Sequence, residues 1–135
     1  MFLLRFEVVC QNFYWIGFEM DYKKIQKEIE DFVKERDWDQ FHSPKNLAMA
    51  LSVEASELVE IFQWQEKDDY KLQKFKEKTL SKSKDEVADI FYYLIRICNK
   101  MEIDLEKVFN EKMEKNKNKY PVTKFKGQST KYNDL

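Results

Sequence analysis

Apolar residues return every three or four positions over most of this chain, and each such run predicts an amphipathic helix. Over residues 21–36 the apolar face is Ile25, Ile29, Phe32 and Val33. Over residues 46–64 it is Leu47, Leu51, Leu58 and Phe62, which fall in one narrow stripe at about 100° of rotation per residue. A third stripe joins Ile90, Tyr93, Ile97 and Met101 behind Glu86. A fourth helix is expected to start at the cap Asp104, turn Leu105, Val108, Phe109 and Met113 inward, and stop before Tyr120 and Pro121.

The segments between these runs read differently. Ser43 and Pro44 suit an N-cap and a first helical position. They leave Trp38, Phe41 and His42 on a short loop at the mouth of the helices, where two aromatics and the only histidine suit recognition of a flat polar ring. Residues 65–84 are charged and mixed and predict a flexible connection, with a short helix around 70–75. The lysines of this connection are read as solvating it, or as attracting phosphate. Residues 122–135 predict an extended tail with one glycine turn. The opening residues 1–20 are rich in aromatic and aliphatic side chains, but Arg5, Glu7, Gln11 and Asn12 interrupt them before any membrane-length span forms. They also lack the pattern of a secretory leader. They are read as an extension outside the domain, with translation starting at Met20. The organisation expected is therefore an extension over 1–20, one helical domain over 21–120 and a tail over 121–135.

Composition narrows the class. A chain of 135 residues holds one core. Its two glycines and two prolines offer few turn signals, and its Lys, Glu, Leu and Ile favour helix, so the fold expected is all-α. Lys and Arg total 24 against 25 Asp and Glu, a balance that argues against a grip on long nucleic acid. Cys10 and Cys98 read as free thiols of a cytoplasmic protein.

Charge then appears where an amphipathic helix should have none. Glu54 lies in the middle of the Leu47–Phe62 stripe, and Glu57 lies at its edge beside Ala50 and Ile61; Glu60 projects to the solvated side. A carboxylate on an apolar face must be protonated, paired with a base or bound to a cation, because burying it alone costs several kcal/mol. One such pair reads as a structural network with lysines. Its repetition as Glu86 and Asp89 on a second apolar helix reverses that reading, since four facing carboxylates repel unless something positive lies between them. All-oxygen ligands favour Mg²⁺, with Mn²⁺ as a substitute. The helix around Glu86 also carries Val87, Phe91, Leu94, Ile95 and Cys98 on its other sides, more apolar surface than a single layer of four helices covers. A homodimer or homotetramer is expected.

The spacing Glu54-x-x-Glu57 with Glu86-x-x-Asp89 resembles the metal signature of the MazG-like, all-α nucleoside triphosphate pyrophosphohydrolases. The run from Arg36 to Leu47 with Trp38, His42, Pro44 and Asn46, the Phe62-Gln63-Trp64 triplet, Lys112 with Asn116, Tyr120-Pro121-Val122 and the closing residues 131–135 are similar to the dCTP pyrophosphatase branch. The resemblance implies a MazG-like four-helix bundle that assembles into oligomers, with Glu54, Glu57, Glu86 and Asp89 as catalytic ligands of Mg²⁺. It implies that Lys112 and Asn116 contact phosphate or sugar, and that Trp38, His42, Asn46, Trp64 and Tyr93 complete the substrate pocket. The reaction implied is attack of water at the α-phosphorus of a (deoxy)nucleoside triphosphate, dCTP or a modified dCTP first, releasing the monophosphate and pyrophosphate. Two alternatives stay open: a broad hydrolase of noncanonical triphosphates, and a helical oligomer that senses nucleotides without turnover.

Overall fold

The computed structural model describes residues 20–65 and 73–129, with side chains in the second segment described from Glu77 onward. Residues 1–19, the short helix expected around 70–75 as far as residue 72, and the closing residues 130–135 lie outside the described residues. Among those described, every regular element is helical: α1 (Tyr22–Glu35), a 3₁₀ turn (Asp39–Phe41), α2 (Pro44–Phe62), α3 (Gln73–Lys100), α4 (Leu105–Lys119) and α5 (Val122–Phe125). None is long and apolar enough to cross a membrane.

Local chemistry sets the helix starts. Asp21, Ser43 and Asp104 each accept a hydrogen bond from the backbone N–H three residues on, and Pro44 follows Ser43 as the first helical residue. The ends of α1 and α3 close by a left-handed residue without glycine. Asp37 at φ 52° lets Trp38 N–H reach the Val33 carbonyl, and Glu102 at φ 53° lets Ile103 N–H reach that of Cys98. Each reversal occupies a few residues and aims the chain directly at the next cap.

Helices α2 and α3 make the main pairing, and α1 packs on α3. Val33, Leu47 and Ile95 are the largest fully buried side chains, with Ile29 and Cys98 beside them. Cys98 is a free thiol, as expected, and burial pushes its ionisation up.

Three expectations are corrected. The charged connection expected over residues 65–84 is helical from Gln73, which makes α3 28 residues long; its lysines and glutamates are good helix formers even where no apolar stripe marks them. The tail is not wholly extended, because Val122–Phe125 forms a helical turn before Gly127 at φ 77°. The face of α4 that was expected inward is mostly uncovered in the single chain: Phe109 is 59% exposed, and Val108 and Met113 are exposed with it. Helix α4 therefore does not close a bundle of four within one chain.

Candidate metal and nucleotide site

Helix α2 brings Glu54 and Glu57 against Glu86 of α3, because each carboxylate occupies a position on the stripe by which the two helices pack. One ligand oxygen from each of Glu54, Glu57 and Glu86 lies within 4.8 Å of the others. Glu54 and Glu86 are half-buried and Glu57 is exposed. Among the described residues no ion pair reaches any of the three. Burial pushes the Glu54 carboxyl above the usual range, and Glu57, Asp89 and Glu86 push it further. Burial likewise raises Glu86, with Glu57, Asp89 and Asp85 adding to it. Asp89 is thus close enough to act on both, although its oxygen is not one of the mutually close three. The donor set fits a hard divalent ion: three carboxylates converge, none has a cationic partner among the described residues, and small side-chain adjustments bring their oxygens to the bond length of about 2.1 Å that Mg²⁺ requires.

Beyond the acids, toward the start of α3, an open groove of about 700 Å³ includes Glu57 and Glu86 with Ile61, Trp64, Lys78 and Lys82 in its lining. Lys82 is one helical turn before Glu86. Neither lysine is paired with a carboxylate among the described residues. Trp64, just past the end of α2, is 87% exposed.

Toward the opposite end of α3 stands the aromatic loop. Trp38 meets Phe32 edge-on at 5.7 Å, Phe32 meets Tyr92 at 6.3 Å, and Tyr92 meets Tyr93 at 5.1 Å. Tyr93 lies near the acids: burial raises its hydroxyl, and Glu54 and Asp89 add to the effect. Asn46 serves the loop itself, its side-chain amide donating to the Phe41 carbonyl at 2.9 Å. His42 is half-buried and accepts a bond from Arg96 at Nδ1.

The structure therefore brings together Glu54, Glu57, Glu86, Asp89 and Tyr93, with the Trp38, His42 and Asn46 loop further along α3. It separates Trp64 from that loop, since α2 spans 19 residues, or about 28 Å, between them. Lys112 and Asn116 sit on α4 and line no part of the acidic groove. Sequence reasoning missed Arg96 and Asp39. Asp39 sits within the quoted motif, whereas Arg96 has no signal beyond being a lone cation among apolar neighbours on α3.

Comparison with known proteins shows what the chain as a whole is similar to. A family model described as MazG-like matches residues 49–135. The dCTP pyrophosphatase 1 of Rattus norvegicus is 36% identical over 111 residues, covering 82% of this chain and 65% of that protein. The Homo sapiens protein of the same name is 33% identical over the same shares. The chain thus spans about 65% of the length of the curated relatives it matches. The crystal structure of a pyrophosphatase from Archaeoglobus fulgidus superposes with a TM-score of 0.68 at 36% identity, over 73% of this chain and 91% of that one.

Proposed function

The chain belongs to the MazG-like family, and on that premise we propose that it is a Mg²⁺-dependent nucleoside triphosphate pyrophosphohydrolase acting first on dCTP or a modified dCTP. The observation that carries this reading is the convergence of Glu54, Glu57 and Glu86 without an ion-pair partner among the described residues. The names of its relatives, dCTP pyrophosphatase 1, support the choice of substrate.

Glu54, Glu57, Glu86 and Asp89 would hold the ion. Bound there, it would neutralise charge on the phosphate oxygens and make the α-phosphorus more open to water. A carboxylate of the four with a free oxygen orients the water and takes its proton. The bond from the α-phosphorus to the bridging oxygen breaks, and the monophosphate and pyrophosphate leave. Tyr93, beside the acids, supports the sugar; a ring packed at the sugar edge gives a 2′-hydroxyl no partner and favours the deoxynucleotide. Trp38 and His42 receive the base, with Asn46 holding their loop in shape.

Lys78 and Lys82, on the other side of the acids, suit the outer phosphates. We expect Lys82→Ala to raise KM for the triphosphate about three- to tenfold, the size of one charge-assisted bond lost at an exposed site, with kcat little changed in steady-state assays. Trp64 lines the acidic groove but would meet the base, and Lys112 and Asn116 would join the pocket, only if a second copy brings them there. The uncovered side chains of Val87, Val108 and Phe109 support such a homodimer or homotetramer. The buried free thiol of Cys98 is in keeping with a cytoplasmic setting.

The test is a panel of canonical and modified nucleoside triphosphates with Mg²⁺, with both products identified. The expected result is monophosphate plus pyrophosphate, with the highest kcat/KM for dCTP or a 5-modified dCTP. Equal kcat/KM across noncanonical triphosphates would favour the broad hydrolase. Metal-dependent binding without product would favour a nucleotide sensor.

A further inference from the structure

We propose that Arg96 is a positioning residue that locks His42 as the neutral tautomer with its proton on Nε2, so that the ring offers a donor to an acceptor oxygen of the nucleotide. This deepens the function proposed above and rests on its placing of the base at the Trp38–His42 loop. Arg96 is 4% exposed, on the face of α3 that also presents Tyr93 one turn earlier. Its Nη2 donates to Asp39 Oδ1 at 2.9 Å, and its Nε donates to His42 Nδ1 at 3.3 Å. Lys100 Nζ donates to the other Asp39 oxygen at 2.8 Å.

A guanidinium has donors and no acceptor, so Nδ1 must present its lone pair, and a neutral ring then carries its single proton on Nε2. The usual alternative, a carboxylate receiving a proton from Nδ1, would need Asp39. His42 Nδ1 faces Arg96 Nε instead, while each Asp39 oxygen accepts from another cation, and the bond from Lys100, then that from Arg96, holds this carboxyl below its usual range against the opposing effect of burial. Around His42 itself, burial first and then Arg96 and Lys100 disfavour a second proton, while Asp39 favours one; the balance keeps the ring neutral. Stability does not explain an arginine here. Burying the guanidinium carries a desolvation cost that a bond to the largely exposed Asp39 only partly offsets, and an apolar side chain would fill this part of α3 without that cost. What only the guanidinium supplies is one donor for Asp39 and another for His42 from a single rigid plane.

His42 is the only histidine of the chain, so ¹⁵N-imidazole NMR on the tag-free protein reads it without ambiguity. The expected result is an unprotonated Nδ1, a protonated Nε2 and a titration midpoint below the ordinary value of about 6.5. In Arg96→Gln the tautomers should mix, the midpoint should rise, and KM for the triphosphate should increase about tenfold with kcat nearly unchanged, as one lost hydrogen bond implies. Arg96→Lys keeps the charge beside Asp39 but lacks the second donor in plane, so KM should stay raised; a mere clamp on the loop would be rescued by it. A proton on Nδ1 in the wild-type protein, or full rescue by lysine, overturns the assignment. The expected tautomer with no turnover of any triphosphate sinks the functional reading alone, and the reversed tautomer with normal turnover sinks the Arg96 assignment alone.

Discussion

Glu54→Gln is expected to lower kcat/KM for the preferred triphosphate at least about a hundredfold while raising the melting temperature of the metal-free protein. The first effect follows from the magnitude of metal catalysis: charge stabilisation by a bound ion is several kcal/mol, and about 1.4 kcal/mol is a factor of ten in rate. The second follows from repulsion. Burial and the carboxylates of Glu57, Asp89 and Glu86 all disfavour the ionised form of Glu54, so an isosteric neutral amide relieves the cluster. The two effects together separate the readings of this glutamate. If it belonged to a structural network of ion pairs, its replacement would lower stability in the absence of metal. Differential scanning calorimetry in chelator and steady-state kinetics in Mg²⁺ measure the two effects, and far-ultraviolet circular dichroism checks that the helices are intact. Unchanged turnover would remove Glu54 from the site.

The helix starts and the acidic cluster were legible because each rests on local rules. Ser43 with Pro44, and Asp104, announce helices that begin where their side chains cap the backbone, and Asp21, the first residue of the expected run over 21–36, proves to be the cap of α1. Glu54 and Glu86 interrupt apolar stripes, and the packing of those stripes is what brings them together. Other features depend on information the sequence carries weakly. Residues 73–84 lack an apolar stripe, so their helix is visible only as propensity and as continuity with α3. The reversals at Asp37 and Glu102 use left-handed residues other than glycine, so the usual turn signal is missing. Periodicity marked the apolar face of α4 but could not say what covers it, and Phe109 and Met113 remain exposed in the single chain. Trp38 and Trp64 both fall within quoted motifs, yet only the length of α2 reveals that they occupy opposite ends of the pair. The partner of His42 lies 54 residues away, a relation that no local pattern carries.

A divalent ion should reverse the pH dependence that the cluster imposes. Glu54 and Glu86 titrate above their unfolded range, so between the unfolded and folded values the native state binds more protons than the unfolded chain. Their contribution is therefore most favourable below the unfolded carboxylate range and is lost as pH rises through the raised folded values, leaving the repulsion in full above them. In chelator, stability should fall across that window as pH rises, and the slope should shrink in Glu54→Gln. His42 acts in the opposite sense at higher pH: its lowered folded value gives stability that is present above about 6.5 and lost as pH falls through the folded value. Glu54→Gln separates the two, because it shrinks the carboxylate window and leaves that of His42 in place. Adding Mg²⁺ at neutral pH to about a hundredfold its Kd should contribute about 2.7 kcal/mol, a rise of roughly 10 °C in Tm for a domain of this size. That gain should diminish toward acid pH, where protons compete for the same oxygens. Calorimetric scans at a series of pH values, with and without Mg²⁺, measure both trends. A metal-induced shift of equal size in Glu54→Gln would mean that the ion binds elsewhere.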